Sequence, residues 1–311
     1  MIVHWDEVAE QERSHGDIRA TRQLLGAAAG ARRTGLSRWR IPAGARNAPV
    51  HVHADEEEIF YVLDGAGHVW HEGRAYPVSA GESIVFPVDS GAHTLFGGPI
   101  DVLAFASGSE TSLTWLPRPN VMWAAPRWLP LDGPHPFEAE AAVGPLELPA
   151  PVDPADERPR WIVAPGDVEP QTVRRGPTDI ARVDLATIGG SQRSGLQHVT
   201  IAPGACTHPL HCHSREEELF VVLDGDGVLE LLERDGLAEH PVRRGSVVAR
   251  PAGTGVAHRF RAGERGLTLL AYGQRDSGDA VFYPTSSKVR LRGLGGLTFR
   301  IEQLGYWDGE E

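Results

Sequence analysis

The chain has 311 residues, 42 acidic and 30 basic side chains, a formal net charge of −12 and an apolar share of 41%. The charge has the wrong sign for a protein that neutralises phosphates, and no segment approaches the ~18 consecutive apolar residues of a membrane-spanning helix. Nucleic acid and membrane are therefore excluded as expected partners. With only Cys206 and Cys212 to pair, and a polar, acidic opening free of signal or transit character, the expected setting is a reducing cytoplasm.

Helical patterning is confined to the region near the amino terminus. From there on, short apolar stretches alternate with Gly- or Pro-containing turns, as in "LSRWRIPAG", "EIFYVLDGAG", "RAYPVSAG" and "ESIVFPVDSG". This rhythm predicts an all-β protein, an antiparallel sandwich or small barrel. A parallel sheet would need helical crossovers, and the pattern offers none. The Pro-rich stretch from Pro126 to Arg160 opposes both helix and interior strand and reads as a surface linker with at most a short helical turn. The expected division is a first domain at 1–130, a linker at 131–160 and a second domain at 161–311. Trp115, Trp123 and Trp128, just before the linker, are expected to serve domain packing or a subunit interface.

The two domains are copies. At an offset of 160 (211 minus 51), Arg33, Gly35, Leu36, Ile41, Gly44, Ala45 and Pro49 meet Arg193, Gly195, Leu196, Ile201, Gly204, Ala205 and Pro209. "HVHADEEEIF" from His51 falls on "HCHSREEELF" from His211, and "VLDG" at Val62 falls on "VLDG" at Val222. Similarity at this period is a duplicated domain.

In an extended segment alternate side chains share a face, so His51 and His53 point one way, as do His211 and His213. A polar turn follows and a new strand begins at the third glutamate, Glu58 or Glu218, with apolar residues on both faces beyond it. A carboxylate at the mouth of such a strand is costly unless something cationic meets it. Two imidazoles and a carboxylate are a donor set for a divalent metal. Further on, each copy has a glycine, five residues, a proline, a short loop and a histidine: Gly81, Pro87 and His93, then Gly245, Pro251 and His258. Glu56, Glu57, Glu216 and Glu217 read as solvated turn residues, and His68 and His71 as surface groups.

These segments resemble the two motifs of the cupin superfamily, once in each half. The first motif is carried by Gly44, His51, His53, Glu58 and Gly65, and again by Gly204, His211, His213, Glu218 and Gly225. The second is carried by the glycine, proline and histidine just named. The first spacer is one residue longer than usual, and the loop from proline to histidine is longer in both copies. The resemblance implies a bicupin: two double-stranded β-helix (jelly-roll) barrels in tandem. Each would hold a divalent ion, Mn, Fe, Ni, Zn or Cu, on three imidazoles and one carboxylate. It further implies a small-molecule ligand, a metalloenzyme of dioxygenase or decarboxylase, lyase or isomerase type, or else a non-catalytic binding or sensing barrel. A homodimer is a further expectation by analogy.

The copies differ on the strand before the first motif. Arg38, Arg40 and Arg46 give way to His198, Thr200 and Cys206, and His208 replaces Ala48. If that face lines the cavity, Arg38, Arg40, Arg46, His198 and His208 are the candidate substrate contacts.

Overall fold

Residues 1–107, 112–124, 127–129 and 133–310 are described by a computed structural model built, among the described residues, around two eight-stranded sheets. In the first sheet the neighbour order is Ile162–Val163, Ser83–Phe86, Glu58–His71, His93–Ser107, Thr34–Ile41, Ile18–Gln23 and Glu10–His15, with Arg74–Ser79 beside Glu58–His71. The second sheet repeats this order with Ile2–His4, Ser246–Arg250, Glu218–Glu233, Ala257–Gln274, Ser194–Ile201, Thr178–Asp184 and Gln171–Arg175, and Gly236–Arg243 beside Glu218–Glu233. Every pairing between these strands is antiparallel, as the turn rhythm predicts.

The repeated "VLDG" marks the corner where each sheet rolls over. Register shifts fall between Val62 and Asp64 and between Gly65 and Gly67, and at the matching positions of the second copy. Gly65 has φ +76°, and a Cβ there would sit 2.3 Å from the Pro99 carbonyl oxygen; Gly225 is alike, at φ +78° and 2.2 Å from the Gly266 oxygen. Only glycine fits such a corner.

The halves exchange strands. Ile2–His4 lies on Ser246–Arg250 of the second barrel, while Ile162–Val163 lies on Ser83–Phe86 of the first. The two segments are equivalents in the 160-residue repeat, so each half completes the other's sheet. The exchange explains why the central strands are apolar on both faces. Phe60 and Val62 point into the first barrel with Trp39 and Ile41. Ile59, Tyr61, Leu103 and Phe105 point out and pack against Leu219, Val221, Leu270 and Tyr272 of the second. The Phe105 and Tyr272 rings stack at 5.1 Å.

Glu57 and Glu217 are not solvated turn residues. Each is 1% exposed and reaches into the opposite barrel. Glu57 accepts from the Gln192 and Arg193 backbone N–H groups (2.8 and 3.1 Å) and from the Ser191 hydroxyl. Glu217 accepts from the Arg32, Arg33 and Thr34 N–H groups (each 2.9 Å) and from the Thr34 hydroxyl (2.7 Å). Glu216 is buried too, paired with Arg292. Glutamate spacing alone could not show that the partner barrel covers this turn.

The amino-terminal helical pattern amounts to one five-residue helix, Leu25–Ala29, closed by Gly30 in the left-handed region. Within the linker, Pro136–Ala142 is helical and docks through Glu140, which is fully buried between Arg46 and Arg118. The Trp115 ring is 43% exposed, and the side chain of Trp128 lies outside the described residues. No helix among the described residues is long and apolar enough to cross a membrane.

Glu230 of the second barrel is buried beneath Arg259 and Arg261, which donate to it at 2.5 and 2.7 Å. Burial works to raise its carboxyl, but these guanidiniums hold it below the usual carboxylate value. A lowered folded-state pKa stabilises above the unfolded value and loses that contribution as pH falls through the folded one. Glu230→Gln is therefore expected to cost about 1–3 kcal/mol at neutral pH. In urea unfolding titrations the penalty should shrink progressively below about pH 4.5.

Candidate metal centres

Four strand ends bring the first set of ligands together. Val52–His53 pairs with Leu113–Leu116, which fixes His53 opposite Thr114, and His51 bridges to His93 at the start of its strand. Glu58 opens the long strand between them. The Nε2 atoms of His51, His53 and His93 lie 3.5, 3.7 and 3.3 Å from Glu58 Oε2. On the far side of each ring, Nδ1 meets the Pro49 carbonyl at 2.8 Å, the Thr114 hydroxyl at 3.2 Å and the Gly91 carbonyl at 3.0 Å. A carbonyl at Nδ1 selects the tautomer whose Nε2 lone pair faces inward, the form a metal needs. Phe86 stacks on His93 at 3.7 Å. His71, expected at the surface, is half-buried behind it, against Phe86 and Trp161, with its Nε2 at 2.7 Å from the Ser90 carbonyl.

The second set repeats the first. His213 and His258 place Nε2 at 3.5 and 3.1 Å from Glu218 Oε2, and His211 anchors Nδ1 on the Pro209 carbonyl at 3.1 Å. His213 Nε2, His258 Nε2 and Glu218 Oε2 are all buried and make no hydrogen bond. Buried polar atoms left unpaired are rare and costly, and three of them converging fit a shared cation. His51, His53, Glu58 and His93 form one group able to hold a metal, as do His211, His213 and Glu218.

The electrostatics agree with that reading at the carboxylates and at His93 and His211; at His53 and His213 burial lowers the imidazole, but Glu58 and Asp279 respectively raise it above its ordinary value. Burial works to raise Glu58 and Glu218, yet the surrounding imidazoles hold both well below the usual carboxylate range. Burial, then the neighbouring His51, pushes His93 down to about 4. Burial and the neighbouring His208 push His211 well below its ordinary value. Each is thereby a neutral donor facing an ionised carboxylate, which is the protonation state for coordination.

Beside the second centre lies a cavity of about 390 Å³, lined among others by Arg182, Gln197, Val199, His208, Tyr283 and Arg290. His208 stands at its edge with its ring 4.2 Å from that of His211, so this candidate contact joins the site. The other four do not. Arg38 faces outward, paired with Asp101 at 2.7 Å and lying over Trp5. Arg40 is paired with Glu10 on the same outer face. Arg46 is fully buried, but its guanidinium serves Asp17 and Glu140 of the docked linker. His198 lies between the barrels, stacked on Tyr61 at 6.4 Å. The reason is strand phase: Trp39 and Ile41 are the inward residues of their strand, as Val199 and Ile201 are of theirs.

Carrying the 160-residue alignment eleven positions upstream of Arg33 pairs Arg22 with Arg182. Both point inward. Arg22 bonds Ser37 and lies over Trp39 at 4.9 Å. Arg182 and Arg290 face the cavity, and among the described residues neither is paired with a carboxylate.

Two jelly-roll barrels in tandem, each with three histidines and a glutamate gathered at the end of its sheet, define a bicupin. The cupin domain family matches the chain once in each barrel, at residues 37–95 and 197–271. Among solved structures it is similar to the oxalate decarboxylase of Bacillus subtilis at pH 4.6, with TM-score 0.60, 18% identity, and 89% of this chain and 76% of that one covered. It is likewise similar to the Lactobacillus farciminis oxalate decarboxylase formate complex, with TM-score 0.60, 17% identity and coverages of 88% and 86%. A further Bacillus subtilis structure at 17% identity and TM-score 0.59, covering 90% of this chain and 78% of that one, is described by its Mn(II) centres. At such identity the likeness establishes the fold. No curated protein matches the sequence.

Proposed function

We propose that this bicupin is a metal-dependent enzyme acting on a small carboxylate-bearing molecule, and that its reaction takes place in the second barrel. The carrying observation is the cavity of about 390 Å³ that joins His211, His213 and Glu218, with His258 Nε2 3.1 Å from Glu218, to two guanidiniums that have no carboxylate partner among the described residues. A divalent ion held there would polarise a bound oxygen or bind dioxygen. Arg182 and Arg290 would hold the substrate carboxylate, while the Gln197 amide and Tyr283 hydroxyl supply neutral hydrogen bonds that orient it.

The two barrels differ on this wall in a way visible in the repeat. Trp39, buried in the first core with Arg22 against its ring, stands where the second barrel has Val199. Decarboxylation of a small dicarboxylate and oxygen-dependent C–C cleavage both fit this site.

Elemental analysis of the purified protein, followed by a screen of small mono- and dicarboxylates under air and under nitrogen, tests the proposal. Bound divalent metal with turnover of a carboxylate is expected. Oxygen uptake would select the oxygenase branch, and turnover under nitrogen the decarboxylase or lyase branch. Arg290→Met should raise KM for that substrate by at least tenfold, the scale of one lost charged hydrogen bond. Absence of bound metal, or binding without turnover, would overturn the enzyme reading.

A further inference from the structure

The two centres are near copies in their inner ligands but differ at one nitrogen. His213 Nδ1 meets the Asp279 carboxylate at 2.7 Å, whereas the matching His53 Nδ1 has the Thr114 hydroxyl, at 3.2 Å, as its nearest partner among the described residues. The more distant acid three residues on is common to both, with Glu216 at 3.6 Å and Glu56 at 3.7 Å. Asp279 is 1% exposed. Its other oxygen accepts from the Ser214 hydroxyl and from the Arg215 and Glu216 N–H groups at 3.2, 2.9 and 3.3 Å, and Arg292 Nε lies 3.6 Å away. The carboxylate is thus clamped in place with one oxygen aimed at the imidazole.

We propose that Asp279 is the positioning residue that sets the cation affinity of the second centre, through an anionic bond to His213 that the first centre replaces with a neutral one. A carboxylate on the outer nitrogen fixes the ring and makes the inner nitrogen a stronger donor, and such partners are worth 10–100-fold in metal affinity. Arg250 works in the opposite sense. It stands in the second centre where Phe86 stands in the first, with its Nη2 on the Val256 carbonyl, and a guanidinium there repels a cation. The anionic partner offsets that repulsion, which gives the second centre a need for Asp279 that the first does not share.

The inference rests on the metal reading above, and the test separates the two. Mn(II) is titrated by EPR into a His53→Ala chain, where the second centre alone retains all its ligands, and into His53→Ala/Asp279→Asn. Asparagine keeps an oxygen for the Arg215 and Glu216 N–H groups, and the melting temperature of the metal-free proteins checks that the fold is kept. Binding 10–100-fold weaker, with an altered EPR spectrum of the bound ion, is expected. In a His213→Ala chain, Thr114→Asp should tighten Mn(II) binding at the first centre several-fold, a gain that loss of fold cannot imitate. Unchanged affinity in both experiments overturns the role of Asp279. A wild-type chain that binds neither Mn(II), Zn(II) nor Ni(II) overturns the metal reading itself.

Discussion

Glu218→Gln should abolish turnover, by about 10³-fold or more, and remove one metal ion per chain, whereas Glu58→Gln should remove the other ion and leave most of the activity. The carboxylate is the only anionic donor in each set. An amide keeps the shape but supplies neither the charge that holds a divalent ion nor the partner that offsets burial of that ion. Metal polarisation is worth several kcal/mol of barrier, and about 1.4 kcal/mol is tenfold in rate. The asymmetry between the variants follows from space. Beside Glu218 lies the cavity with Arg182 and Arg290. In the first barrel, Trp39 is packed into the core with Arg22 drawn onto its ring. Metal content per chain and initial rates, measured on both variants, decide the assignment. Activity lost in Glu58→Gln and kept in Glu218→Gln would move the reaction to the first barrel.

What the sequence made legible here was whatever repeats. The strand order, the glycine corners and the ligand sets all appear twice at a fixed spacing, and duplication turns a weak pattern such as His-x-His into a strong one. The inward phase of the strands was harder to read, because both faces are apolar. Trp39 fills a barrel while Tyr61 fills the gap between barrels, and hydrophobicity does not distinguish the two destinations. Arg38 and Arg40 accordingly read as candidates for the metal-side cavity, whereas Arg38 pairs with Asp101 and Arg40 with Glu10 on the opposite face of the strand from Trp39 and Ile41. Asp279, Arg290 and Arg292 approach the second centre from on or beside the small sheet that carries Ala280–Tyr283 and Lys288–Leu291, the counterpart of Leu113–Leu116 and Val121–Ala124 in the first half. The offset of 160 no longer holds that far along the chain, so the alignment did not point to them.

The run of three glutamates is the clearest case of a motif whose meaning needs the partner barrel, and it leads to the second large effect. Its first member stands near the outer nitrogen of a ligand histidine, at 3.7 Å for Glu56 and 3.6 Å for Glu216. Its third is the ligand. Its second, Glu57 or Glu217, is the buried clasp onto the other barrel. Removing it strands at least two backbone N–H groups, each costing about 1–3 kcal/mol. Glu57→Ala and Glu217→Ala should each lose about 3–5 kcal/mol in chemical denaturation, a scale also seen when buried charges lose a partner. Glu239→Ala, which breaks only an exposed pair with Arg261, should stay within about 1 kcal/mol. Because Glu57 abuts Glu58, and Glu217 abuts Glu218, each clasp also sets where the ligand strand begins. Each alanine variant should therefore weaken metal binding in its own barrel while leaving all four donors in the sequence. A clasp variant with wild-type stability would mean that water replaces the carboxylate, and that the barrels are held together by their shared apolar face and exchanged strands alone.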